Sequence, residues 1–76
     1  MPRTYTLTRV DTLHGKEITW RGLKVRDMGQ MVAYCAADNL GLPRQTATRY
    51  GMLAEKALRA GESFGLTGYE FRAEAE

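Results

Sequence analysis

Cysteine occurs once in this chain, at Cys35, histidine once, at His14, and proline only twice. A lone cysteine excludes an intramolecular disulfide and a cysteine-rich zinc site, and it fits a reducing cytosol. On an apolar helix face it reads as a small buried hydrophobe. Long apolar runs are missing too. The longest, MVAYCAA, falls far short of the roughly 20 residues that a membrane-spanning helix needs. The opening MPRTYTLTRV alternates polar and apolar residues, without the unbroken apolar core of a targeting signal. A cytoplasmic protein with no membrane partner is expected. Convergent titratable groups are also scarce. Asp11, His14 and Glu17 lie close in sequence, but Gly15 and the surrounding pattern make them a solvated polar turn. GESFGLTG bears glycines without the lysine and helix of a phosphate-binding loop. The chain reads as a non-enzyme with no cofactor and no metal.

What is present suits one small domain. Its 76 residues leave no room for a second core, so residues 1–76 read as a single α+β domain with AEAE, 73–76, frayed. The large apolar residues, among them Leu7, Leu13, Ile18, Trp20, Val32, Leu53, Leu58 and Phe71, fill one thin layer between a sheet and a helix pair. A chain this short buries a modest share of its surface, and a homodimer is a natural way to gain more. Net charge is +2 but unevenly placed. Residues 1–26 carry Arg3, Arg9, Lys16, Arg21, Lys24 and Arg26 against Asp11 and Glu17, whereas the tail from Glu62 holds four glutamates against Arg72. A basic strand edge, with Arg21 and Lys24, faces an acidic end.

Along the chain, Arg3 to Val10 alternates as a half-buried strand with Tyr5 and Leu7 on one face. DTLHGK turns the chain, and EITW resumes a strand. Apolar parity flips at Arg21-Gly22, which a tight turn or a bulge would restore; the glycine suits the turn. Asp27 is expected to cap a helix, with Gln30 three residues on. Met28, Met31, Val32, Cys35 and Ala36 form its apolar stripe. It should end near Asn39, with Gly41 left-handed and Pro43 beyond. A second helix, opened by Pro43 or Thr46, runs to about Ala60. Its inward face is Ala47, Tyr50, Gly51, Ala54, Ala57 and Leu58, and its outward face Thr48, Arg49, Met52, Glu55, Lys56 and Arg59, with a Glu55–Arg59 pair. SFGLTGYEFR follows, strand-like from Tyr69, with a bend or bulge at Gly65 and Gly68. The expected fold is α+β: a small antiparallel sheet of an N-terminal hairpin plus a C-terminal strand, covered on one face by a two-helix hairpin, in the order β-β(-β)-α-α-β.

The stretch AADNLGLPRQTATRYGML carries two readings. The paired Ala36 and Ala37, the apolar Leu40, the turn GLP and the opener RQTATR resemble the helix-turn-helix of bacterial and phage regulators over Ala33 to Leu53. In that family the second helix lies in the major groove. The resemblance implies that Arg44, Gln45, Thr48 and Arg49 contact duplex DNA. Three features depart from it: strands precede the helix pair, the first helix starts as early as Asp27, and Ala47 stands where a branched aliphatic usually packs. The alternative is a plain helical hairpin, with Ala33, Ala37, Ala47, Gly51 and Ala54 allowing close approach. In size, strand–helix order and lack of catalytic groups, the chain is similar to small phage-encoded inhibitors such as anti-CRISPR proteins. That likeness implies a protein or nucleoprotein partner, such as a CRISPR-Cas complex, with Met52 and Trp20 as anchors if exposed; for Trp20 the core is the expected place.

Overall fold

The computed structural model describes residues 3–76. Met1 and Pro2, which the single-domain reading includes, lie outside the described residues. In chain order the elements are β1 (Tyr5–Asp11), β2 (Glu17–Leu23), α1 (Val25–Tyr34), α2 (Arg44–Arg59), β3 (Phe64–Leu66) and β4 (Tyr69–Ala75). The strands form one antiparallel sheet in the order β2-β1-β4-β3. The α+β architecture read from the sequence stands, with two C-terminal strands where one was expected. The C-terminal piece is a hairpin of two strands, because Gly68, at φ +81°, lets Thr67-Gly68 reverse the chain where a bend or bulge was expected.

The pleat explains which face is covered. Tyr5 and Leu7 are buried, and their cross-strand partners Leu23, Trp20 and Ala73 share that face, as does Phe71 opposite Arg9. Against it pack Met28, Val32 and Cys35 of the first helical segment and Ala54 and Leu58 of α2. Leu7, Met28, Val32, Leu58 and Phe71 are the largest fully buried side chains. Trp20 is half-buried against this cluster. The other face bears Thr6, Thr8, Thr19, Glu70 and Arg72.

The Arg21-Gly22 flip is a bulge inside one continuous strand, which corrects the expected tight turn. Tyr5 pairs with Leu23 and Leu7 with Trp20, so Arg21 and Gly22 together oppose Thr6. Gly22 takes φ +70°, the conformation that suited it to a turn. The first helix starts three residues earlier than expected, since Lys24, not Asp27, is its cap. Asp27 sits one turn inside, and its carboxylate accepts the Lys24 backbone N–H at 2.9 Å. The helix continues from α1 into a wider π-type turn over Cys35–Asn39 and stops where Gly41 adopts φ +67°. Pro43 caps α2, which has 16 residues.

Further corrections concern exposure and the chain end. Leu13, Ile18 and Leu53 are 80, 43 and 50% exposed, outside the layer they were expected to fill. Leu13 lies in the β1–β2 turn, Ile18 on an edge strand, and Leu53 on the flank of α2 turned from the core. Tyr50 and Ala57 are half-buried. Residues 73–76 are not loose: Ala73 and Ala75 pair with Leu7 and Tyr5, and the Glu76 N–H donates to the Thr4 carbonyl at 2.9 Å.

Candidate interaction surface

The seam between the helices decides which residues of α2 reach solvent. A Cβ on Gly51 would lie 2.6 Å from the Gly29 carbonyl oxygen and 3.1 Å from the Ala33 Cβ. These two helices are therefore as close as glycine allows. Ala47 and Ala54 are buried beside this contact. With 3.6 residues per turn, the buried set Ala47, Gly51, Ala54 and Leu58 sends Gln45, Arg49, Met52, Lys56 and Arg59 to the opposite side. All five are exposed, Met52 by 67%. Arg44 and Thr48, also exposed, border the helix seam.

Outside the seam the helices leave an open groove of about 640 Å³. Small residues line it (Gly29, Ala33, Ala37, Ala47 and Gly51), and Tyr34 and Met52 stand at its sides. Tyr34 is 65% exposed. The expected Glu55–Arg59 pair does not form, because Glu55 lies instead over Gly29, in the space a Cβ there would occupy. The cations of α2 are consequently without an ion pair among the described residues. Arg44, Arg49, Lys56 and Arg59 stand against Glu55 alone in this helix. Among the described residues, the ion pairs join His14 to Asp11 and Arg72 to Glu17 and Glu70, and none involves α2.

The structure thus brings Arg44, Gln45, Thr48, Arg49, Met52, Lys56 and Arg59 together on one helix. Arg21 and Lys24 are exposed but separate: β2 is the edge strand beside α1, whereas α2 packs over β3 and β4. The acidic end is dispersed as well. Glu70 and Glu74 lie opposite Val10 and Thr6 in the middle of the sheet. The Glu76 carboxylate accepts the Thr4 hydroxyl at 2.7 Å, the Thr6 hydroxyl at 2.8 Å and the Gly22 N–H at 3.0 Å. These donors, Thr4 above all, hold its pKa below the ordinary 4.5.

Around the first turn, Asp11 Oδ1 accepts the Leu13 and His14 N–H groups at 3.0 and 3.1 Å, and Asp11 Oδ2 lies 2.9 Å from His14 Nδ1. The hydrogen bond from His14 is the main reason the Asp11 pKa is lowered. Glu17 does not join them; it accepts from Arg72 at 3.2 Å.

One cluster escaped the sequence reading. The Arg9 guanidinium stacks between Trp20 and Tyr69, 5.7 and 5.1 Å from the ring centroids. Asn39 Nδ2 donates to the Tyr69 hydroxyl at 3.1 Å. Burial pushes the Cys35 thiol pKa up, while the nearby Arg9 charge pulls against it. The available signal was parity: Arg9 falls on the same side of β1 as Tyr5 and Leu7, where a cation needs aromatic cover.

Compared with known protein families, curated proteins and solved structures, the chain matches none.

Proposed function

We propose that this protein is a non-catalytic interaction module that docks the exposed face of α2 on a macromolecular partner with an anionic surface. It would act as a small phage-type inhibitor of a host nucleoprotein defence complex, such as CRISPR-Cas. One observation carries the reading: Arg44, Arg49, Lys56 and Arg59 line a helix with no ion pair among the described residues, around the exposed Met52. Unpaired cations steer encounter with an anionic surface, and a central apolar side chain supplies contact that survives salt.

Expression in a bacterium whose CRISPR-Cas system restricts a phage tests this directly. Plaques should return with the natural chain and be lost with the R49A/K56A variant at equal protein level. Unchanged restriction across a panel of CRISPR-Cas types would overturn the inhibitor reading.

The second reading is a helix-turn-helix-like regulator of transcription. It is favoured by the exposure of Arg44, Gln45, Thr48 and Arg49 in the opening turns of α2. Fluorescence anisotropy with random duplex DNA separates the two. A DNA binder using several phosphate contacts loses affinity by about 10³-fold or more between low and physiological salt, and Arg44→Ala with Arg49→Ala should remove binding. Absence of DNA affinity at low salt would reject this second reading and leave the first standing.

A further inference from the structure

We propose that the chain pairs with a second copy of itself along the free edge of β2, joining two four-stranded sheets into one of eight. The strand order leaves β2 and β3 at the edges. β2 is seven residues long and β3 only three. Three backbone bonds fix which groups β2 presents. The Asp11 N–H donates to the Lys16 carbonyl at 2.8 Å, so Lys16, Ile18 and Trp20 turn their backbone groups toward β1. Across β1, the bonds Thr12 N–H to Gly68 O at 3.0 Å and Glu76 N–H to Thr4 O at 2.9 Å turn its even-numbered residues toward β4. Its odd-numbered residues then face β2, in agreement. Glu17 and Thr19 are left with N–H and C=O groups directed out along the edge, with Arg21 following at the first position of the bulge.

The segment Glu17-Ile18-Thr19-Trp20-Arg21 complements itself in one register. With Thr19 opposite Thr19 of the second copy, antiparallel pairing places Glu17 against Arg21 twice, on the face away from the helices. Ile18 then meets Trp20 twice on the helix-bearing face, since directly opposite residues share a face. Glu17 and Thr19, whose backbone groups point outward, both fall at hydrogen-bonded positions of this register. Centring the axis on Trp20 instead sets Glu17 against Leu23 and Arg21 against Thr19, which loses both charge pairs. Centring it on Ile18 sets Glu17 against Thr19. Charge therefore selects the Thr19 register.

Two further features agree. Ile18 is 43% exposed although it lies on the helix-bearing face, so the second copy covers apolar surface that this chain leaves open. The bulge, which Arg21 opens and Gly22 completes, ends the edge where the register ends. Edge strands commonly carry charge that repels other strands. Here the two charges have opposite sign at the spacing that attracts their own copies. The existing Arg72–Glu17 bond joins two half-exposed side chains; such surface pairs contribute little and leave Glu17 free to bridge both guanidinium groups.

Analytical ultracentrifugation of the full chain over a concentration series, at low salt, tests the proposal. The mass should rise from 8.5 kDa toward twice that value. Glu17→Arg and Arg21→Glu should each weaken dimerisation about tenfold or more, and the double variant E17R/R21E should restore it. Thr19→Pro removes an outward N–H without breaking the β1 ladder and should abolish pairing. Circular dichroism establishes that each variant is folded; if Thr19→Pro is not, the charge exchange decides alone. A monomer up to about 1 mM, where even weak specific pairing registers, would overturn the proposal. So would single reversals that leave dimerisation unchanged, or a double variant as weak as its parents.

Discussion

Gly29 and Gly51 face each other across the helix seam, yet an added methyl group meets different neighbours at each. At Gly51 it meets the Gly29 carbonyl oxygen at 2.6 Å, a backbone atom that cannot step aside. Gly51→Ala should lower stability by about 1–3 kcal/mol through overpacking, despite gaining about 1 kcal/mol in helix propensity. At Gly29 the obstacle is the Glu55 side chain from Cγ outward, which clears the site by a change of χ1 that turns it toward Arg59. Gly29→Ala should be neutral or stabilising by up to about 1 kcal/mol, and urea unfolding of the two variants side by side checks the contrast. Glu76 gives a second residue-scale expectation. Its folded pKa lies below 4.5, so its contribution is complete above that value and is lost as pH falls through the folded pKa. The melting temperature should drop with acidification below about 4.5, and Glu76→Gln should flatten part of that slope, Asp11 holding another part in the same direction.

Among the elements, periodicity made the helices legible and geometry hid the details. Of the stripe Met28, Met31, Val32, Cys35 and Ala36, all but the half-buried Met31 are buried. Of the inward face of α2, Ala47, Gly51, Ala54 and Leu58 are buried while Tyr50 and Ala57 are half-buried, because a helix buries one side whatever its exact ends. The bulge was visible only as a change of parity at Arg21-Gly22; turn and bulge both ask for a glycine at positive φ, and only the pairing with Tyr5 and Leu7 distinguishes them. β3 is three residues long, too short to show alternation. The cap of α1 misled for a physical reason: an aspartate one turn inside a helix can accept the cap's N–H as well as occupy the cap itself. For α2, the lack of ion partners has a consequence for stability. Arg49→Ala and Lys56→Ala should change unfolding free energy by no more than about 0.5 kcal/mol, measured by thermal melts. Loss of partner binding in those variants would then report the surface and not the fold.

At the scale of the molecule, the linear charge division into a basic beginning and an acidic end disappears on folding. β1 and β4 are neighbours, so Glu70, Glu74 and Glu76 lie beside β1, the last held by Thr4 and Thr6, and Glu76 sits near Arg21. Composition cannot reveal this, because it depends on which strands pair. Arg44, Gln45, Thr48, Arg49, Met52, Lys56 and Arg59 stay together because one helix carries them, whereas Arg21 and Lys24 lie at another edge. The same strand pairing brings Thr4 and Glu76 within one hydrogen bond. The fold is therefore nearly a closed loop, and its order of synthesis is incidental to its final contacts. A circular permutant that joins residues 76 and 3 through a short glycine linker, and starts anew within the exposed 61–63 connection, should regain the parent far-ultraviolet spectrum and melt cooperatively.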